Sequence, residues 1–268
     1  MIKTLIAGPN GKMGKAMIQL AQGHPMITIV GGIGPKGRNY IGRDLGVIAG
    51  VGEDIDAIAY DDMNEILHRC DVVVECTNAE ASLDILGQCV AAGKAFVSGT
   101  TGFTEEQQAQ FRKVGERIPV LLASNTSKIA HLFFHLIKLV ARKVGKEADI
   151  DIIEMHDRDK LDAPSGTAKE IGHLIADELG LALDEIARYQ RLGKGIRPSP
   201  TIDYSSIRTG NYATTHRVIF GFDNEKLELS FDGYNMYPFA GGILDAAVYL
   251  HNKSPGFYTI EQAFGLKD

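Results

Sequence analysis

The stretch Gly8-Pro9-Asn10-Gly11-Lys12-Met13-Gly14 constrains the fold more than any other part of the chain. It follows a short apolar strand, Ile2 to Ala7. It leads into Met13, Met17, Leu20 and Ala21, which recur at helical spacing up to Gly23. Strand, glycine turn and helix, in that order, form the opening unit of an α/β sheet that grips a dinucleotide. Gly8 permits the tight turn, Gly11 lets backbone approach a pyrophosphate, and Gly14 lets the helix lie close on the strand. The spacing is Gly-x-x-Gly-x-x-Gly and not the commoner Gly-x-Gly-x-x-Gly. The reading therefore rests on the flanking strand and helix, and a simple turn is the competing explanation.

The elements that follow repeat the same alternation. A second strand spans Met26 to Val30, a brief third Ala57 to Tyr60, and a short helix Met63 to His68. Asp71 to Cys76 is a buried apolar strand, Ser82 to Ala92 a helix stopped by Gly93, and Ala95 to Ser98 another strand. Thr104 caps a helix to Val114, and Pro119 to Ala123 is a fifth strand. Strands alternating with helices predict a parallel, doubly wound α/β sheet over the first half. Ligands of such a sheet meet the ends of its strands. The small-residue turns Thr77-Asn78, Gly99-Thr100-Thr101 and Ser124-Asn125-Thr126 are placed there. The end of the second strand, where an NAD site usually carries an acid for the ribose 2′-hydroxyl, reads Gly31-Gly32-Ile33-Gly34-Pro35-Lys36-Gly37-Arg38. Lys36 and Arg38 would attract a 2′-phosphate, so NADPH is expected over NADH. An ordinary solvated loop is the alternative.

From Lys128 the pattern changes. Ile129 to Val144 is a long amphipathic helix, Ala148 to Met155 alternates as a strand, and Ala163 to Leu179 is helical. Residues 193 to 200 form a Gly/Pro/Lys/Arg loop. Strands recur at Ser205 to Arg208, His216 to Phe222 and Lys226 to Asp232, as in a mixed or antiparallel sheet. Phe239 to Leu250 is the final helix, entered through Pro238. Two domains follow: residues 1–127, joined by the returning 238–268, and residues 128–237.

Chemistry concentrates in one run, Glu154 to Ala168, where His156, Asp157, Arg158, Asp159, Lys160 and Asp162 precede Pro164-Ser165-Gly166-Thr167 at a helix start. Free N–H groups and the partial positive charge of such a start suit a carboxylate or phosphate. Thr167 and Glu170 also fit a Thr-x-x-Glu capping box, which would satisfy those donors internally. The net charge of −6 over 268 residues argues against nucleic acid as partner, so an anionic ligand must be met by local groups such as these. No apolar run reaches the roughly 18–20 residues of a membrane span. The first strand begins too early for a signal peptide. Cys70, Cys76 and Cys89 lack metal or redox spacing and read as free thiols, which points to the cytoplasm. No metal site is expected. His131 and His135, one turn apart, are better explained as a packed helix face than as ligands.

End to end, the chain resembles the 4-hydroxy-tetrahydrodipicolinate reductase (dihydrodipicolinate reductase) family of the diaminopimelate route to lysine. The resemblance is carried by Gly8 to Gly14, Gly99-Thr100-Thr101-Gly102-Phe103, Glu154-Met155-His156 and above all Lys160-Leu161-Asp162-Ala163-Pro164-Ser165-Gly166-Thr167-Ala168. It implies a Rossmann domain completed by the C-terminal helix, an inserted α+β domain that binds substrate, and a homotetramer joined through the second domain's sheet. It also implies NADPH or NADH as cofactor and a small anionic substrate. By the same resemblance Gly8, Asn10, Gly11, Lys12 and Met13 hold the pyrophosphate. Thr77, Gly99, Thr100, Thr101, Ser124, Asn125, Thr126 and Phe239 surround the rest of the cofactor. His156 and Lys160 handle the proton, and Ser165, Gly166 and Thr167 bind a substrate carboxylate. The reaction implied is hydride transfer to a conjugated cyclic imine bearing carboxylates, with Lys160 as the better acid because an ammonium both attracts the anion and donates.

Some positions depart from the family pattern. Asp157 and Asp159 stand where the family has His, Thr214-Thr215-His216 replaces Gly-Glu-His, and Asn235 stands where an Arg is expected. An Asp beside an anionic substrate adds repulsion. A related reductase of another imine or enone, or a non-catalytic NADP-binding sensor, are therefore the competing readings. A sensor would need neither His156 nor Lys160.

Overall fold

The computed structural model describes residues 1–211 and 214–267. In chain order the elements are β1 (Ile2–Ala7), α1 (Lys12–Ala21), β2 (Ile27–Ile33), α2 (Leu45–Ala49), β3 (Ala59–Tyr60), β4 (Val72–Glu75), α3 (Ala79–Ala92), β5 (Ala95–Ser98), α4 (Glu105–Val114) and β6 (Pro119–Leu122). There follow α5 (Lys128–Val144), β7 (Asp149–His156), α6 (Gly166–Leu179), α7 (Leu183–Ile186), β8 (Ala187–Tyr189), β9 (Ile202–Arg208), β10 (Thr214–Gly221) and β11 (Lys226–Gly233). The chain ends with α8 (Tyr237–Leu250), β12 (Gly256–Tyr258) and α9 (Ile260–Ala263). These divide into two compact units, Met1–Lys128 with Met236–Asp268, and Ile129–Asn235.

The first unit is a seven-stranded parallel sheet of order β12-β6-β5-β4-β1-β2-β3. Its central strands read as continuous apolar runs because helices cover both faces. Met17, Ile18, Ile243 and Leu244 pack on one face, and Ile66, Leu86, Phe96 and Phe111 on the other. Gly8, at φ +74°, makes the turn after β1. A Cβ on Gly14 would lie 2.2 Å from the Gly8 carbonyl oxygen, so only glycine lets α1 seat against that turn.

Two expectations are corrected here. The helix expected over 63–68 is a pair of 3-10 turns, Met63–Glu65 and Leu67–Arg69. The chain leaves helical geometry at Ile66 (φ −124°), and Ile66 and Leu67 are both buried at the break, so packing overrides helical continuity. Nor is α8 the last element. The three-residue β12 is too short to show a period in sequence, and it takes its hydrogen bonds from β6.

The second unit is a mixed sheet of order β11-β10-β7-β9-β8. β10 runs antiparallel to both neighbours, while β7, β9 and β8 are parallel. β7 alternates strictly: Ile150, Ile152, Glu154 and His156 are buried, and the residues between them are not. The buried face packs on α5 and α6 through Phe133, Phe134, Ile137, Ile171 and Ile175. The register sets Ser206 beside Glu154, Arg208 beside His156, and His216 beside Glu154. Directly opposed residues share a face, so one patch of this sheet collects two histidines, a glutamate and an arginine.

Candidate functional site

The patch is densely bonded, although the buried Arg208 Nε and His216 Nδ1 have no partner within it. The carboxylate of Glu154, fully buried, accepts from Arg208 through both oxygens, Nη2 to Oε1 at 2.7 Å and Nη1 to Oε2 at 2.9 Å. His156 Nδ1 lies 2.5 Å from Glu154 Oε2. A carboxylate can only accept, so Nδ1 carries the proton of this bond and Nε2 is the atom left to exchange one. Burial pushes the Glu154 carboxyl up, but hydrogen bonds from Arg208, Ser206 and His156 outweigh it and leave it below its usual range. His156 is shifted down: burial outweighs the pull of Glu154, and the charges of Lys160 and Arg208 add to the push. His216, its ring centroid 5.4 Å from that of His156, is pushed down to about 4, first by burial and then by the charge of His156.

These groups are tied to the helix start that the sequence singles out. His216 Nε2 is 3.1 Å from Ser165 Oγ, and Ser165 Oγ accepts from the Ala168 N–H at 3.2 Å. Ser165 is therefore the N-cap of α6, with Gly166 and Thr167 as its first two residues. This corrects the expected capping box. Thr167 is the second residue of the helix, and the cap position falls to Ser165, whose hydroxyl accepts the Ala168 N–H. Arg208 Nη2 also donates to the Asp162 carbonyl at 2.6 Å, fastening the loop before the helix. Lys160 Nζ sits 2.7 Å from Asp162 Oδ1, and both side chains are partly solvated. The Asp157 carboxylate accepts the Asp159 N–H at 2.9 Å, so at least one of its oxygens serves the loop itself.

Glu154, His156 and His216 also place three ligand-type atoms within 4.8 Å of one another. Both oxygens of Glu154 are held by Arg208, and that guanidinium opposes any cation at the same spot. The cluster suits a proton better than a metal ion.

In the first unit a cleft of about 760 Å³ opens at the ends of the central strands, lined by Gly8, Gly11, Lys36, Thr77 and Asn78 among others. At its floor α1 begins at Gly11, where no side chain caps the helix and its first turn holds no acid. Lys12 and Met13 open that turn, Asn10 precedes its cap, and its uncapped N–H groups suit a pyrophosphate. Of the two expected cations, Lys36 lines the cleft, whereas Arg38 is outside its lining. Asp61 and Asp62 line the cleft as well, and sequence reasoning passed over them. Hydrogen bonds from Asn64 hold the Asp62 carboxyl below its usual range, and the charge of Lys36 contributes to that.

A second pocket is lined by Thr100, Thr101, Gly102, Phe103, Arg112 and Ser124. Gly99 packs so tightly that a Cβ there would lie 2.6 Å from Ile243 Cδ1. Thr126 Oγ1 donates to the Phe239 carbonyl at 2.7 Å, and the Asn125 side chain accepts from the Ser127 N–H. The returning α8 is thereby bonded to the loop after β6, which brings the distant Phe239 to the group expected around the cofactor. The three cysteines are unsuited to nucleophilic work: burial pushes Cys70 to about 11, Cys76 to about 12 and Cys89 higher still.

Glu75, Arg208 and His216 were also given no role by sequence reasoning. Glu75 ends an apolar strand, a position where a charge is conspicuous, yet its partners lie up to 25 residues away. Arg208 and His216 reach Glu154 and Ser165 only through strand register, which no local pattern encodes.

The chain matches the family model described as dihydrodipicolinate reductase, N-terminus, over residues 2–126, and the C-terminus model over residues 130–264. It is 34% identical over 268 residues to a 4-hydroxy-tetrahydrodipicolinate reductase from Hahella chejuensis, covering all of both chains. It is 37% identical over 270 residues to one from Colwellia psychrerythraea, covering 100% of this chain and 99% of the relative. Among solved structures, dipicolinate-bound dihydrodipicolinate reductase from Paenisporosarcina has the same fold, with a TM-score of 0.77 at 24% identity over 97% of each chain. An amine dehydrogenase from Mycobacterium smegmatis is more distant, with a TM-score of 0.65 at 15% identity.

Proposed function

The chain belongs to the dihydrodipicolinate reductase family, and on that premise we propose that it reduces 4-hydroxy-tetrahydrodipicolinate to tetrahydrodipicolinate in the diaminopimelate route to lysine. The observation that carries this reading is the run Lys160 to Ala168 ending at an α-helix start, beside the bonded group Glu154, His156, Arg208 and His216.

A bound nicotinamide supplies the hydride. The chain's own residues bind the anion and handle the proton. The Gly166 and Thr167 N–H groups and the Thr167 hydroxyl bind the substrate carboxylate, which takes the place of the Asp162 carboxylate at the Gly166 N–H, with Ser165 shaping the helix start that presents them. Lys160 leaves Asp162 for the substrate anion and gives up the proton that balances hydride addition. His156, kept neutral and with Nδ1 bound to Glu154, offers Nε2 as relay or orienting group. Asp157 stands beside this site and adds negative charge, which biases the enzyme against substrates with further anionic groups on that side.

The cofactor is NADPH in preference to NADH. Lys36 in the cleft lining supports this, although Asp61 and Asp62 oppose it. Gly8, Asn10, Gly11, Lys12 and Met13 hold the pyrophosphate. Thr77, Gly99, Thr100, Thr101, Ser124, Asn125, Thr126 and Phe239 hold the nicotinamide half. The enzyme works in the cytoplasm as a homotetramer joined through the second sheet. On the face of that sheet turned away from α5 and α6, Ile153, Met155 and Ile219 are only partly buried and Ile207 is exposed. The first unit serves the cofactor and the second the substrate.

The test is NADPH oxidation with freshly generated 4-hydroxy-tetrahydrodipicolinate, with Lys160→Ala alongside. Fast turnover that falls at least a hundredfold in the variant, with NADPH still bound, is the expected result. Bound NADPH without turnover would redirect the enzyme to another cyclic imine or enone. Unchanged turnover in the variant would remove Lys160 from the mechanism.

A further inference from the structure

Glu75 ends β4 and is fully buried in the middle of the parallel sheet. Its carboxylate gathers the two loops that follow β4 and β5. Oε1 accepts from the Ser82 hydroxyl at 2.6 Å and from the Ser98 hydroxyl. Oε2 accepts from the Thr77 N–H at 2.8 Å, the Thr77 hydroxyl at 2.7 Å and the Thr100 hydroxyl at 2.8 Å. The Thr77 N–H also approaches Thr100 Oγ1 at 2.8 Å. A carboxylate has no proton to give, so the Thr77, Ser82, Ser98 and Thr100 hydroxyls all donate to it, beside the Thr77 N–H.

The consequence concerns the outward side of the same residues. Each threonine hydroxyl has one proton and two lone pairs, and the proton is committed to Glu75. Toward a ligand, Thr77 and Thr100 are left with lone pairs alone. Thr77 lines the large cleft and Thr100 the adjoining pocket. A phosphate or carboxylate on them would meet lone pairs backed by a buried negative charge. A group with N–H donors would be well matched.

We propose that Glu75 is a positioning residue that fixes Thr77 and Thr100 as pure acceptors, so that this end of the crevice takes the amino group of the nicotinamide carboxamide and rejects the phosphates. The pyrophosphate is thereby left to the uncapped start of α1. This rests on the cofactor reading given under Proposed function, and it adds a residue and a polarity to it.

The test compares three ligands by calorimetry: NADPH, its 3-acetylpyridine analogue, in which a methyl replaces the amino group, and 2′-phospho-ADP-ribose, which lacks the ring. Wild type should bind the acetylpyridine analogue at least fivefold more weakly than NADPH; equal binding overturns the proposal without any variant. Glu75→Met removes both acceptor oxygens and should weaken NADPH at least tenfold while changing 2′-phospho-ADP-ribose by less than threefold. Equal loss of both would mean that Glu75 only holds the sheet end together, which also overturns it. Glu75→Gln is the conservative partner. The Thr77 N–H cannot turn away, so the amide oxygen must face the threonines and the amide nitrogen the two serines, whose hydroxyls can rotate to accept. Binding within threefold of wild type is expected for Gln; a loss as large as that of Met would mean that charge and not proton direction matters. Should Met fail to fold, the analogue comparison and the Gln variant still decide the question. Failure of wild type to bind either NADPH or 2′-phospho-ADP-ribose would refute the cofactor reading itself, separately from this one.

Discussion

Replacing Arg208 by methionine should be among the most damaging single changes to the second unit. The variant leaves the Glu154 carboxylate fully buried after removing both charge-assisted hydrogen bonds, at 2.7 and 2.9 Å, that hold it there. Stranding a buried charge in this way costs about 3–5 kcal/mol, a fall of roughly 10 °C in Tm for a chain of this size. The pH dependence gives a sharper test. In wild type Glu154 is held below its usual range. Without Arg208, burial dominates and raises the folded pKa above the unfolded one. The penalty is then largest above the folded pKa and is relieved as pH falls toward the unfolded value. The difference between variant and wild type, measured by urea denaturation, should shrink as pH falls from 7 to 5. Adding Glu154→Gln should restore much of the loss at pH 7. A deficit below about 1 kcal/mol, or one that is the same at both pH values, would refute the claim that Glu154 is buried as a carboxylate held by Arg208.

Other outcomes are expected. His216, pushed down to about 4 from an ordinary 6.5, stays neutral in the fold while its unfolded form takes up a proton. Stability should therefore fall by about 3 kcal/mol as pH drops from about 6.5 to 4, and His216→Gln should flatten that part of the denaturation-against-pH curve. Lys36→Ala should weaken NADPH about tenfold, the worth of one charge-assisted contact, and leave NADH nearly unchanged; tighter NADH than NADPH binding by wild type would refute the preference. Gly14→Ala gains helix propensity but sets a Cβ 2.2 Å from the Gly8 carbonyl oxygen. The clash should cost about 1–3 kcal/mol, read as a lowered Tm, together with weaker nucleotide binding.

The sequence by itself determined much of this protein. Gly8 to Gly14 after a short strand fixes a β-turn-α opening, because Gly14 is the one residue type that fits beneath the Gly8 carbonyl. The buried runs at 72–75 and 95–98 demand a sheet covered on both faces, and Thr104 announces the start of α4 as its cap, which the structure completes into a capping box with Gln107. The run from Lys160 to Thr167 shows its chemistry in one local stretch. All of these are short-range signals: a turn, a period or a cap is written in neighbouring residues. Tertiary structure alone decided the rest. Arg208 and His216 reach the site through the register of β9 and β10, and a register slipped by one residue would turn both to the other face. Core packing at Ile66 broke an expected helix into two tight turns, and β12 exists only because β6 offers it a parallel edge. Glu75 looks in sequence like a stray acid at the end of a strand. Its role follows from donors at positions 77, 82, 98 and 100, which the winding of the sheet brings to one buried point.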